Sequence, residues 1–174
     1  MTSKVDVYLG LGSNQDAKKH IAAGIVALQH RFGDFRISPI YRSRAVGFSG
    51  DDFLNAAAWV TTDLKVGELK TWLTDLEDRH GRDRSQPRFS DRSLDIDILL
   101  YGDRVVDTDT RQIPHPRLHE RRFVLQPLLE IAPSARDPRD GTPLAELLRR
   151  LPEQGVYCYR ANPYNRARSK EQHT

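Results

Sequence analysis

Val5-Asp6-Val7-Tyr8-Leu9-Gly10-Leu11 is a β-rich run that stops at Gly12-Ser13-Asn14, a turn or helix-start signal. Directly after it, Ile21, Ile25, Leu28 and Phe32 recur at helical spacing, which predicts an amphipathic helix over about residues 14–31. Residues 36–42 and 53–62 read as two strands, with the glycine-containing stretch 43–51 as the loop between them. Val66, Leu69, Leu73 and Leu76 mark a second helix, ending near Gly81 as a C-cap glycine. Residues 94–101 alternate apolar and acidic side chains as a further strand, turning at Gly102-Asp103, with Val105-Val106 as a short hairpin partner. The order β-α-β-β-α-β is the split βαβ pattern, and it predicts an α+β sandwich of helices on an antiparallel sheet. Beyond it, residues 122–131 resemble a helix interrupted by Pro127. Thr142-Pro143 opens a last helix carrying Leu144, Leu147, Leu148 and Leu151.

The chain has 174 residues, 38% hydrophobic and 29% charged, enough for one domain of ordinary size. We expect that domain to span residues 1–159. No apolar run has the ~18–20 residues of a membrane helix, and the N-terminus lacks a secretory signal's apolar stretch. Cys158 is the single cysteine, which excludes an internal disulfide and any multi-cysteine zinc site. A cytoplasmic monomer is the expectation. The net charge of +3 is too small to mark a nucleic-acid binder, and no nucleic-acid partner is expected. Residues 160–174 are basic and unpatterned, and are expected to form a disordered tail.

Chemistry concentrates in Arg82-Asp83-Arg84-Ser85-Gln86-Pro87-Arg88-Phe89-Ser90-Asp91-Arg92-Ser93-Leu94-Asp95-Ile96-Asp97-Ile98. In a strand, residues two apart share a face, so Asp95 and Asp97 would stand about 6.6 Å apart at Cα, with Leu94, Ile96 and Ile98 on the opposite face. Two same-face carboxylates repel, and a hard divalent cation such as Mg²⁺ resolves the repulsion. A solvated edge strand would show the same alternation. Arg82, Arg84, Arg88 and Arg92 precede the pair, and guanidinium groups bind phosphate oxygens in bidentate fashion. Together they suit a nucleoside triphosphate with its Mg²⁺, although Asp83 and Asp91 also allow a loop whose charges pair internally. His115 and His119 do not form a zincin motif, because Phe123 stands where that motif has its second histidine. A phosphate-facing His115 with Arg121 fits better. Neither a Walker A loop nor a Gly-x-Ser-x-Gly elbow occurs.

In these residues the sequence closely resembles the 6-hydroxymethyl-7,8-dihydropterin pyrophosphokinase family. Leu11-Gly12-Ser13-Asn14, Tyr41-Arg42, Phe53-Leu54-Asn55-Ala56-Ala57, Arg92-Ser93-Leu94-Asp95-Ile96-Asp97-Ile98-Leu99, Pro114-His115-Pro116-Arg117 and Phe123-Val124-Leu125-Gln126-Pro127-Leu128 carry the resemblance. It implies a ferredoxin-like sandwich and transfer of the pyrophosphoryl group of ATP to the pterin hydroxymethyl, leaving AMP. It further implies two Mg²⁺ ions on Asp95 and Asp97, with Asp97 also assisting hydroxyl deprotonation. Arg82 and Arg92 would stabilise the transferring phosphates. Glu77, Arg84, Arg88, Ile98, His115 and Arg121 would contact or support ATP. The pterin would stack between Phe53 and Phe123, with Asn55 reading its polar edge and Ser43 and Val46 on the loop lining its pocket. Either phenylalanine alone would more often be ordinary core.

The sequence departs from the family pattern at Phe89-Ser90-Asp91, where a small residue and proline are usual before Arg92, and at Arg44, where proline often follows the residue matching Ser43. A pterin- or nucleotide-binding paralogue with altered substrate or lost turnover is the alternative these departures suggest. An RNA-binding module on the same fold lacks its aromatic signature segment.

Overall fold

The computed structural model describes residues 3–81, 85 and 93–160. The chain runs β1 (Val5–Ser13), α1 (Ala17–Phe32), β2 (Phe35–Ile37), β3 (Ile40–Ser43), β4 (Phe53–Thr62), α2 (Val66–Arg79) and β5 (Asp95–Tyr101). It continues through β6 (Val106–Asp107), β7 (Gln112–Ile113), a 3-10 turn (Pro116–His119), α3 (Arg122–Ile131), α4 (Leu144–Arg150) and β8 (Tyr157–Arg160). Six strands form one antiparallel sheet in the order β5-β1-β4-β3-β8, with β2 beside β3 against the same strand, β4. The predicted βαββαβ core is present.

Alternation decides which side of the sheet each residue serves. On β1, Val7, Leu9, Leu11 and Ser13 are buried, as are Leu54, Ala56, Ala58 and Val60 on β4. Against this face pack Ile21, Ile25, Leu28 and Phe32 of α1 and Val66, Leu69, Leu73 and Leu76 of α2. Burying a leucine or isoleucine side chain contributes roughly 1.5–3 kcal/mol, so these residues supply most of the drive for docking the two helices. Helix α1 comes close because Gly24 has no Cβ: one placed there would lie 3.3 Å from Leu94 and 3.4 Å from Leu11. Gly81, at φ 78°, turns the chain out of α2 as a C′ glycine should.

Several expectations change. Residues 36–42 are two strands, not one, because Ser38-Pro39 breaks the ladder; Ser38 Oγ instead accepts from Ala57 N at 2.8 Å. Pro127 does not interrupt α3, whose buried Leu125 and Leu128 hold the helix against Ala57, Leu99 and Leu100 on the second face of the sheet. That second layer adds a third tier to the predicted α+β sandwich. Val106 pairs with Ile113 of β7 in a separate two-stranded sheet rather than with β5. Cys158 lies in β8 and is exposed. β8 reaches Arg160, one residue past the expected domain end; residues 161–174 lie outside the described residues.

Candidate active site

The second face of the sheet carries the polar side chains. Gly12 of β1 is registered with Asn55 of β4 on one side and Asp95 of β5 on the other. Gly10 lies between Ala57 and Asp97 in the next row. Residues directly opposite in an antiparallel pair share a face, so Asn55, Asp95 and Asp97 project to the same side. Asn55 and Asp95 are two strand spacings apart, about 10 Å. The two glycines between them leave a floor without side chains. Above it opens a cleft of about 440 Å³, walled by the loop after β3, the 109–113 segment and the start of α3.

At the β4 end, Asn55 is buried and its Nδ2 donates to the buried Ser43 Oγ at 2.8 Å, which fixes the carboxamide. Phe53 lines the cleft beside it and meets Phe48 edge-on, ring centroids 6.4 Å apart. Phe123, from the first turn of α3, lines the cleft too, as does Val46. The wall carrying Val46 is clipped at two points: Arg42 Nε donates to Asp52 Oδ2 at 2.9 Å, and Asn14 Nδ2 to the Asp51 carbonyl at 3.1 Å.

At the β5 end stand the carboxylates. Asp97 Oδ2 lies 3.8 Å from His115 Nε2 and 3.7 Å from Arg117 Nη1. His115 is oriented by its own turn, its Nδ1 accepting from Arg117 N at 3.2 Å, and its backbone N–H donates to the Leu99 carbonyl at 3.0 Å. Arg121 also lines the cleft. Glu77 lies behind the wall: it is 2% exposed and does not line the cleft, and its Oε2 accepts from Ile96 N at 3.2 Å. Burial first, and then the charge and hydrogen bond of Asp95, push its carboxyl up to about 7. Ile98 points its side chain into the core beside α2 and still meets the cleft at the strand edge.

The structure therefore brings Ser43, Val46, Phe53, Asn55, Asp95, Asp97, Ile98, His115, Arg121 and Phe123 to one cavity, with Glu77 as a support under Asp95. Arg82, Arg84, Arg88 and Arg92 lie outside the described residues, as does Phe89-Ser90-Asp91. Sequence reasoning missed the floor glycines, although the large-small alternation Leu9-Gly10-Leu11-Gly12 marks one bare strand face. It also gave no role to Arg117 beside Asp97, or to Arg111, which lies across Gly67 of α2, 3.2 Å from where a Cβ would sit.

The sequence profile of the 7,8-dihydro-6-hydroxymethylpterin-pyrophosphokinase (HPPK) family matches residues 8–133. The chain belongs to this family. Among HPPK relatives, the 2-amino-4-hydroxy-6-hydroxymethyldihydropteridine pyrophosphokinase of Aquifex aeolicus (strain VF5) is 39% identical over 142 residues, 80% of this chain and 88% of that one. The enzyme of the same name from Pseudomonas aeruginosa PAO1 is 37% identical over 155 residues, 86% of this chain and 94% of that one. In fold, the chain is similar to the Plasmodium falciparum HPPK-DHPS solved with pterin and p-hydroxybenzoate, with a TM-score of 0.61 at 13% identity. That match covers 99% of this chain and 45% of that one, so the chain spans less than half of the solved protein.

Proposed function

We propose that the chain transfers the pyrophosphoryl group of ATP to the hydroxymethyl of 6-hydroxymethyl-7,8-dihydropterin in folate synthesis, acting as a cytoplasmic monomer. One observation carries the reading at the level of the site. The buried amide of Asn55 and the carboxylates of Asp95 and Asp97 stand on one face of the sheet, on opposite sides of a glycine floor. One end suits a flat ring with a polar edge, the other a cation-bearing polyphosphate.

Asn55, held by Ser43, presents its free carboxamide valences to the donor and acceptor edge of the pterin. Phe53 and Phe123 supply apolar ring faces against which a bicyclic ring can stack. The hydroxymethyl would then point across β1 toward Asp97. In the transfer the hydroxymethyl oxygen bonds to the β-phosphorus, the bond from that phosphorus to the α-phosphate oxygen breaks, and AMP leaves. In this reading Asp97 takes the hydroxyl proton. Arg117 beside it offsets part of its charge, and Arg117 and the His115 ring offer donors to phosphate oxygens.

The donor set fits Mg²⁺, because Asp95 and Asp97 are two partly buried hard-oxygen ligands on one face of β5, too few to cage Ca²⁺. Among the described residues no group of three or more His, Cys, Asp or Glu could hold a metal, so phosphate oxygens would complete the shell of each of two ions. Bound there, Mg²⁺ would offset the triphosphate charge and the charge that develops in transfer. Glu77 holds the start of β5 through Ile96 N and so fixes the spacing of the two aspartates. Arg82 and Arg92 are assigned to the transferring phosphates, and Arg84, Arg88 and Arg121 to the rest of ATP. No covalent intermediate is needed; positioning and electrostatics suffice.

The test is product identity by ³¹P NMR with ATP and the reduced pterin. AMP with the pterin diphosphate is the expected result, and ADP would refute the assigned bond cleavage.

A further inference from the structure

Helix α3 begins without a cap of its own. Its N-cap residue, Arg121, has φ −127° and ψ 117° and makes no side-chain capping bond. The first N–H groups of a helix have no intrahelical acceptor, and arginine is not among the residues that supply one. The acceptor comes from far along the chain. Gln154 Oε1 accepts from Arg122 N at 2.9 Å, and Gln154 Nε2 donates to the Glu120 carbonyl at 2.9 Å. One carboxamide therefore grips the peptide groups on both sides of Arg121.

The grip is reciprocated. Arg122 Nε donates to the Pro152 carbonyl at 2.7 Å, and its Nη2 to the Leu151 carbonyl at 2.9 Å, closing the end of α4. Four hydrogen bonds thus tie residues 151–154 to 120–122. On the site side, the Arg121 N–H donates to the Arg117 carbonyl at 2.9 Å, so Arg121 is held between the 3-10 turn and the strap. Gln154 itself does not line the cleft, whereas Arg121 and Phe123 do. It also lies beyond residue 133, where the match to the family ends.

We propose that Gln154 is a positioning residue for the nucleotide end of the cleft: by bridging Glu120 and Arg122, the segment after α4 sets the direction in which Arg121 enters the site. The inference rests on the assignment of Arg121 to ATP. Loss of the bridge frees the backbone torsions of Arg121, and a guanidinium at the end of a long side chain turns a small rotation there into a displacement of ångströms. Phosphate contacts by arginine depend on that orientation.

Gln154→Met keeps the length and packing of the side chain but removes both bonds. Isothermal titration of ATP with Gln154→Met, Arg121→Ala and the double variant is expected to show about tenfold weaker binding in Gln154→Met. The double variant should bind no more weakly than Arg121→Ala alone, because Gln154 acts through that side chain. Gln154→Glu, which retains the acceptor for Arg122 N, should restore part of the loss. An unchanged ATP dissociation constant in Gln154→Met would overturn the proposal, even with a lowered Tm. So would a loss in the double variant that adds to that of Arg121→Ala. A wild-type protein that binds ATP but makes no AMP would overturn the functional reading alone, and the binding comparison would still decide on Gln154.

Discussion

Gly12 shows how much a single missing side chain contributes to the site. A Cβ at this position would lie 3.5 Å from Asn55 Oδ1 and 3.9 Å from Phe53, an ordinary contact, so alanine fits. The γ-methyls of valine would stand on the cleft floor between Asn55 and Asp95. Valine also favours strands, so the sheet itself should not suffer. Gly12→Val is therefore expected to raise KM for the pterin by tenfold or more (about 1.4 kcal/mol) with Tm unchanged or higher. Steady-state kinetics beside a melting curve would check it, and a normal KM would contradict the floor assignment. Glu77 gives the residue scale a pH signature. Its folded-state pKa, raised by burial and by Asp95, exceeds the unfolded value. The stability this group contributes is then fully present below the unfolded pKa near 4.5 and is lost as pH rises through about 7. In ligand-free protein, Glu77→Gln should flatten the fall in Tm between about pH 5 and pH 8 while still accepting from Ile96 N. Parallel melting profiles for the two proteins would refute this.

At the scale of elements, the 3-10 turn that carries Arg117 is moored from outside. Asp137, 1% exposed, receives Arg139 Nη2 at 2.9 Å and lies 3.1 Å from His119 Nε2 at the end of that turn. Burial works against the charge of Asp137, but hydrogen bonds from Arg139 outweigh it and hold the carboxyl below the usual range. Its stabilisation is present above the unfolded carboxylate pKa and is lost as pH falls through the lower folded value. Asp137→Asn should cost about 1–2 kcal/mol at neutral pH, read by urea denaturation, because the buried carboxylate loses its charge-assisted bonds while the half-exposed Arg139 stays solvated. A change below ~0.5 kcal/mol would show that the network holds nothing. The elements differ in how far their residues announce them. Ile21, Ile25, Leu28 and Phe32 repeat so regularly that α1 is legible, and the Asp95/Asp97 alternation gives β5 and its exposed face. The break at Ser38-Pro39 has a local signal in the proline itself. Helix α3 runs on through Pro127 because that residue removes one hydrogen bond locally, whereas burial of Leu125 and Leu128 against the small Ala57 acts across the fold and has no local signal.

For the whole molecule, topology is what assembles the site. Asn55 and Asp95 are 40 positions apart in the chain and about 10 Å apart in space only because β1 inserts between β4 and β5. Spacing along the sequence put Asp95 and Asp97 on one face, but it could not bring Asn55, Phe123 and His115 to the same cleft; the family resemblance did that. Neither route gives a role to Arg117, Gln154 or the glycine floor, since each matters through a partner remote in sequence. The described residues supply the proposed pterin end, the carboxylate pair and its supports, and the arginines of residues 82–92 are assigned to phosphate by the resemblance alone.

The central claim, that Asp95 and Asp97 gather the cation-bearing triphosphate at the hydroxymethyl, is tested most directly by the AMP-forming rate of Asp97→Ala at saturating Mg²⁺. The account predicts a loss of about 10²–10³-fold with Tm within a few degrees of wild type. Turnover within twofold of wild type, roughly 0.4 kcal/mol, would contradict it.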